Sequence, residues 1–121
     1  MGEILQLNIK GGAQFCVPKM ANLVTTFVML EQEDWFEPEI QFARKLGQNK
    51  IEAIDIGGNF GVYSTALLAK GNPQSKLLHV EPMDIPAEYF CHSVAANQLT
   101  NSKTIKCALS DYNGSATFFG S

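Results

Sequence analysis

The sequence predicts an α/β protein built on an open parallel sheet, and three observations carry that prediction. From residue 51 onward, strand-like apolar runs alternate with helix-like runs. The first two strand-like runs each end on an acid, Asp55 and Glu81. The first is followed at once by the glycine-rich stretch "GGNFG" at 57–61. A β-α-β-α-β order needs crossover connections, which are right-handed and lay the strands parallel.

The first 50 residues read as an N-terminal β-rich arm and helix. "EILQLNI" (3–9) and "AQFCV" (13–17) flank Gly11-Gly12, the pattern of a hairpin. "LVTTFVML" (23–30) is β-branched and apolar, a further strand. "DWFEPEIQFARKLG" (34–47) has the marks of a short helix. Asp34 suits the N-cap, Glu37 completes a capping box, Pro38 fits the first turn and Gly47 closes the end. Residues 51–121 form the second part of the same domain. "IEAIDIG" (51–57), "KLLHVEP" (76–82) and "KTIKCAL" (103–109) are its strands. "VYSTALLAK" (62–70), stopped by Gly71, and "DIPAEYFCHSVAANQ" (84–98), opened by Asp84 and Pro86, are its helices. Asn113-Gly114 marks a hairpin turn before a last short strand.

Composition narrows the function classes. A net charge of −3 and a pI near 5.3 supply no basic footprint for nucleic acid. No apolar run approaches the roughly 20 residues of a membrane span, and the alternating N-terminus is not a signal peptide. Cys16, Cys91 and Cys107 are odd in number and lack metal-ligand spacing. They read as reduced thiols in a cytoplasmic protein, with no metal site.

The glycines need a ligand to explain them. In an open parallel sheet, ligands gather at the carboxyl ends of the strands, where this loop lies. Gly57 permits a sharp exit, Gly61 lets the helix pack against the strand, and amides at the helix start point toward a polar or anionic group. Glu81 ends the second strand, where a carboxylate can accept from both hydroxyls of a ribose. The dinucleotide spacing G-x-G-x-x-G is absent. Asp55, the glycine loop and Glu81 together describe a ribose with a zwitterionic tail, which fits S-adenosylmethionine better than NAD.

The stretches "DWFEPEIQF", "AIDIGGNFGVYSTALLA", "HVEP", "AANQLTN" and "ALSDYNGSATFF", in this order, resemble FkbM-type methyltransferases over about residues 23–120. That resemblance implies a Rossmann-like class I methyltransferase sheet with S-adenosylmethionine as cofactor. It also implies O-methylation of a sugar, glycan or secondary metabolite, hence a small-molecule or glycan acceptor. Carried over by position, Asp55, Gly57, Asn59 and Gly61 line the methionine end of the cofactor, with Tyr63 beside it. Glu81 holds the ribose, Ser110 and Asp111 fall at the adenine edge, and Glu37 approaches the ammonium. Gly58 stands where the family more often has alanine, a departure expected to be harmless.

The family continues after the hairpin with a "K-x-D-x-E-G"-like strand, and this sequence ends at Ser121 without it. The sheet is therefore expected to be incomplete, the cofactor-binding portion of a longer enzyme. Strand 51–57 would then be an edge through which chains self-associate. No catalytic residue can be assigned. His79 alternates with inward-facing apolar neighbours, His92 lies mid-helix, and no cysteine has the partners of a nucleophile. The alternatives are a non-catalytic cofactor-binding or interaction module and, less in keeping with the loop spacing, a nicotinamide-dependent oxidoreductase.

Overall fold

The computed structural model describes residues 3–9, 11–18, 39–111, 113–115 and 117. The strand expected at 23–30 lies outside them. So do Asp34, Trp35, Phe36, Glu37 and Pro38 at the expected helix start, and most of the short strand after Asn113-Gly114.

The arm begins with β1 (Ile4–Asn8) and β2 (Gln14–Pro18), paired antiparallel from Ile4↔Pro18 to Asn8↔Gln14. Gly11 and Gly12 make the turn at φ +95° and +100°, a region glycine enters without penalty. Helix α1 (Glu39–Leu46) follows, and then the alternation expected from the sequence: β3 (Glu52–Ile56), α2 (Val62–Leu68), β4 (Lys76–Val80), α3 (Asp84–Ala96) and β5 (Ser102–Ile105). The sheet order is β3-β4-β5, parallel throughout. β5 stops earlier than the run 103–109 suggested. Its register ends at Val80↔Ile105, because β4 itself ends there and leaves no partner for Lys106 onward.

One hydrophobic cluster joins the arm to the second part. Leu7, Phe15 and Val17 of the hairpin meet Ile40 and Ala43 of α1 and Ala66 of α2. Among the described residues, side chains of α3 and its C-cap take up the outer edge of β2. Ser93 Oγ accepts from the Cys16 N–H at 2.8 Å. Asn97 accepts from the Gln14 N–H at 2.8 Å and donates to the Gln14 carbonyl at 2.6 Å. Two helix side chains thus stand in for a ladder partner and blunt that edge.

The parallel sheet is treated differently on its two faces. Register places Asp55, His79 and Thr104 together on the face toward the helices, where His79 is wholly buried. The opposite face carries Ile54 and Ile56, which stay 63% and 62% exposed. Purely parallel sheets normally bury both faces. Among the described residues, β3 is an edge strand with an open apolar face. An apolar groove of about 330 Å³ runs beside it, lined by Phe42, Leu46, Ile54 and Tyr63. The 121-residue chain is therefore expected to self-associate in sedimentation. Ile54→Lys should shift it toward monomer while moving folding stability by no more than ~0.5 kcal/mol, as exposed substitutions do. A wild-type monomer at all concentrations would show that the face is covered.

Candidate functional site: the loop between β3 and α2

β3 delivers the chain to the carboxyl end of the sheet, and the five residues 57–61 then reverse it into α2. Gly57 adopts φ +66°, and a Cβ there would meet no atom within 4 Å. Glycine is needed at this point for the turn, and the space beside it is open. Gly61 adopts φ +85°, and a Cβ there would also collide with the Phe90 ring of α3. Its close approach is therefore to helix α3, not to the strand as the sequence suggested. Asn59 takes φ +53°, a conformation asparagine tolerates better than other side-chain-bearing residues. That explains how it can stand at a position suited to glycine.

The loop's donors face inward. The N–H groups of Gly57 and Gly58 both reach the Val80 carbonyl (2.8 and 3.1 Å), and Gly61 donates to the Gly58 carbonyl at 2.9 Å. Asn59 donates to Glu81 Oε1 at 2.8 Å. These four amides are engaged by the protein, so Gly61, just before α2, is already committed and does not turn its N–H to a ligand as expected of the helix start. What the loop offers instead is a close Cα surface and the carboxylates around it.

Glu81 is 6% exposed. Its second oxygen, Oε2, accepts from the Met83 N–H at 2.8 Å, just before α3. One carboxylate thus ties the turn after β3 to the turn after β4. Each oxygen of a carboxylate can accept twice, so neither is exhausted. Asp55 Oδ2 accepts from Ser64 Oγ at 2.6 Å, joining the end of β3 to α2. Tyr63, 40% exposed, lines the groove beside Asp55 and Ser64.

Beneath the loop lies a pair of rings. His79 stacks on Phe90 with centroids 4.1 Å apart and planes at 28°. A Cβ on Gly58 would fall well inside contact distance of His79 Cδ2 and Nε2, and 3.0 Å from Asp55 Oδ2. Glycine at position 58 is thus required by the histidine below it. The departure from alanine, read as harmless in the sequence, is the counterpart of His79. Neither nitrogen of the ring finds a hydrogen-bond partner among the described residues. Burial pushes the ring's pKa below the ordinary 6.5, opposed by Asp55, by the backbone of Gly58 and Asn59, and by Glu81.

The structure thus brings Asp55, Gly57, Asn59, Gly61, Tyr63 and Glu81 around one loop. Ser110 and Asp111 lie beyond β5, exposed, and hydrogen-bond to each other at 3.2 Å. Glu37 lies outside the described residues. The sequence placed His79 facing inward, as found, without a role, and gave no sign of Phe90 or Ser64. Only the glycine at 58, where the resembled family more often has alanine, hinted that something bulky lay beneath. Among the described residues no three potential ligands gather to hold a metal ion, and no helix is long and apolar enough to cross a membrane. The largest of the described cavities, about 610 Å³, sits at the amino ends of the strands between Lys50, Lys76 and Lys103. That is the end opposite the loop, away from where parallel α/β sheets bind ligands.

Solved structures share this fold. TYW2 from P. horikoshii, in complex with MeSAdo, superposes with a TM-score of 0.65 at 13% identity, covering 94% of this chain and 39% of its own. A SAM-dependent methyltransferase from Agrobacterium tumefaciens gives 0.63 at 16% identity, covering 88% and 33%. The chain has the class I methyltransferase fold. TYW2 from M. jannaschii, in complex with AdoMet, gives 0.55 at 15% identity, covering 87% and 44%. The chain thus spans between a third and a half of the length of these class I folds. No family model matches it, and no curated protein does.

Two outcomes follow for the loop and its ring. Gly58→Ala should cost about 1–3 kcal/mol by overpacking. Much of that cost should vanish in a His79→Ala background, a coupling a double-mutant cycle reads directly; strict additivity would mean the two do not touch. For pH, the folded ring favours the neutral form and the unfolded ring takes up a proton near 6.5. This contribution to stability is complete above 6.5 and declines as pH falls from there toward the ring's lowered pKa. Denaturant melts of wild type and His79→Phe should diverge in that window, with the variant the less acid-sensitive. Parallel pH profiles would contradict it.

Proposed function

We propose that the chain is the cofactor-binding portion of an S-adenosylmethionine-dependent methyltransferase. The observation that carries this reading is the loop itself. Gly57 leaves open space beside its Cα in a loop that Asp55 precedes and Glu81 holds through the Asn59 amide, at the ligand end of a class I methyltransferase sheet. The complexes of two TYW2 proteins with MeSAdo and AdoMet support it.

The donor set suits such a molecule. Asp55 retains accepting capacity beyond its bond to Ser64 and would receive the ammonium, with Gly57, Asn59, Gly61 and Tyr63 along the methionine portion. Glu81 would accept ribose hydroxyls on the lone pairs its two backbone amides leave. Ser110 and Asp111 are proposed for the adenine edge and Glu37 for the ammonium side, on the FkbM resemblance alone. When bound, S-adenosylmethionine supplies an electrophilic methyl group on its sulfonium. The chain's own residues then have to hold that group in line with an acceptor oxygen and exclude water. No residue is assigned as the base; His79 is wholly buried beneath the loop and does not face an acceptor. We propose a hydroxyl on a sugar, glycan or secondary metabolite as the acceptor, again from the FkbM resemblance, and a cytoplasmic location from the three free thiols.

The reading is tested by calorimetry with S-adenosylhomocysteine on matched variants. Gly57 and Gly11 both have positive φ and open space around a Cβ, so alanine strains each turn alike, by about 1–2 kcal/mol. Only Gly57 adjoins the proposed ligand. Gly57→Ala should weaken binding roughly tenfold or more, about 1.4 kcal/mol, while Gly11→Ala leaves affinity unchanged. Ala66 would make a poor control, since it is buried against the hairpin. Wild-type binding of NAD but not of S-adenosylhomocysteine would overturn the assignment.

A further inference from the structure

His79 lies at the centre of the site and has no part in the reading above. It is wholly buried, its nitrogens lack partners among the described residues, and its ring edge lies directly under Gly58. The groups that face it can be named element by element. β3 contributes the Asp55 carboxylate, the end of β4 contributes Glu81, and the loop contributes the backbone of Gly58 and Asn59. α3 contributes the uncharged ring of Phe90, and the β5 register partner is Thr104, also uncharged. Among the described residues every charged neighbour named here is an anion, and burial alone favours the neutral ring.

On the reading that the loop holds an S-adenosyl cofactor, we propose that His79 is a positioning residue whose deprotonation is coupled to the arrival of the ligand's ammonium at Asp55. In the empty site at a pH below the ring's lowered pKa, Asp55 supports the proton that the ring then carries. An ammonium at the same carboxylate competes for that support, and burial then drives the ring's proton to solvent (imidazolium → imidazole + H⁺). The coupling runs equally the other way. A charged ring takes Asp55 from the ligand and presents two N–H donors to the loop from below. The carbonyl of Gly58 already accepts from Gly61 at the start of α2, so charging the ring also competes with the bond that sets the loop's shape. A neutral ring leaves both Asp55 and the loop ready.

The experiment is calorimetry of the full chain with S-adenosylhomocysteine between about pH 7.5 and about pH 5, beside NMR of the wild-type imidazole. Below the ring's pKa, wild-type affinity should fall by up to about tenfold per pH unit, the limit for one linked proton. His79→Phe keeps the stacking shape and should flatten the profile. The NMR midpoint of His79 should move to lower pH on adding the ligand, a readout that remains available should His79→Phe fail to fold. Wild-type affinity independent of pH, an equal slope in His79→Phe, or an unmoved NMR midpoint would each overturn the coupling and leave the cofactor reading standing. Absence of S-adenosylhomocysteine binding at every pH would overturn the cofactor reading, and the coupling with it.

Discussion

Glu81 accepts the Asn59 amide on one oxygen and the Met83 amide on the other, both at 2.8 Å. These two bonds hold the strand-to-helix turns of neighbouring βα units in fixed relation. Bonds from an amide to a buried carboxylate are charge-assisted and contribute about 1.5–3 kcal/mol each. They also solve a burial problem, since a carboxylate only 6% exposed needs donors around it. With the turns so joined, the loop after β3 can be pressed down onto α3. Gly61 meets Phe90, and Gly58 meets His79. The geometry of the whole site follows from that seating.

The seating also explains the glycine content in physical terms. Gly57 answers to dihedral angle alone, Gly58 to the ring beneath it, and Gly61 to both. Asn59 takes the loop's third positive-φ position, beside Gly57 and Gly61, without a glycine, and its amide is the one that reaches Glu81. A loop of this kind presents little side chain and spends its donors internally. On the proposed reading, its selectivity would come from the carboxylates at its margins, Asp55 and Glu81, and from the open space beside Gly57.

The parallel sheet could be read from the sequence because alternating runs of the right length leave few topologies. The hairpin of the arm was equally plain in Gly11-Gly12 between two apolar stretches. Long-range fits were less visible. Nothing near Gly58 in the sequence names His79, 21 positions on, as the reason for it; register across two strands does. The bonds Glu81 makes were not legible. Its place at the strand end pointed to a ligand, whereas the amides it binds come from turns that only the fold brings together. Ser93 and Asn97 are similar: on a helix they looked unremarked, yet they complete the edge of β2.

Where the ligand sits is the claim on which the rest hangs, because the largest of the described cavities lies at the other end of the sheet. Backbone NMR of the 121-residue chain titrated with S-adenosylhomocysteine tests it most directly. The account predicts that the amides of Gly57, Gly58, Asn59, Gly61 and Met83 shift together as ligand is added, while those of Lys50, Ser75 and Asn101 stay in place. Shifts concentrated at Lys50, Ser75 and Asn101 with an unmoved loop would contradict it.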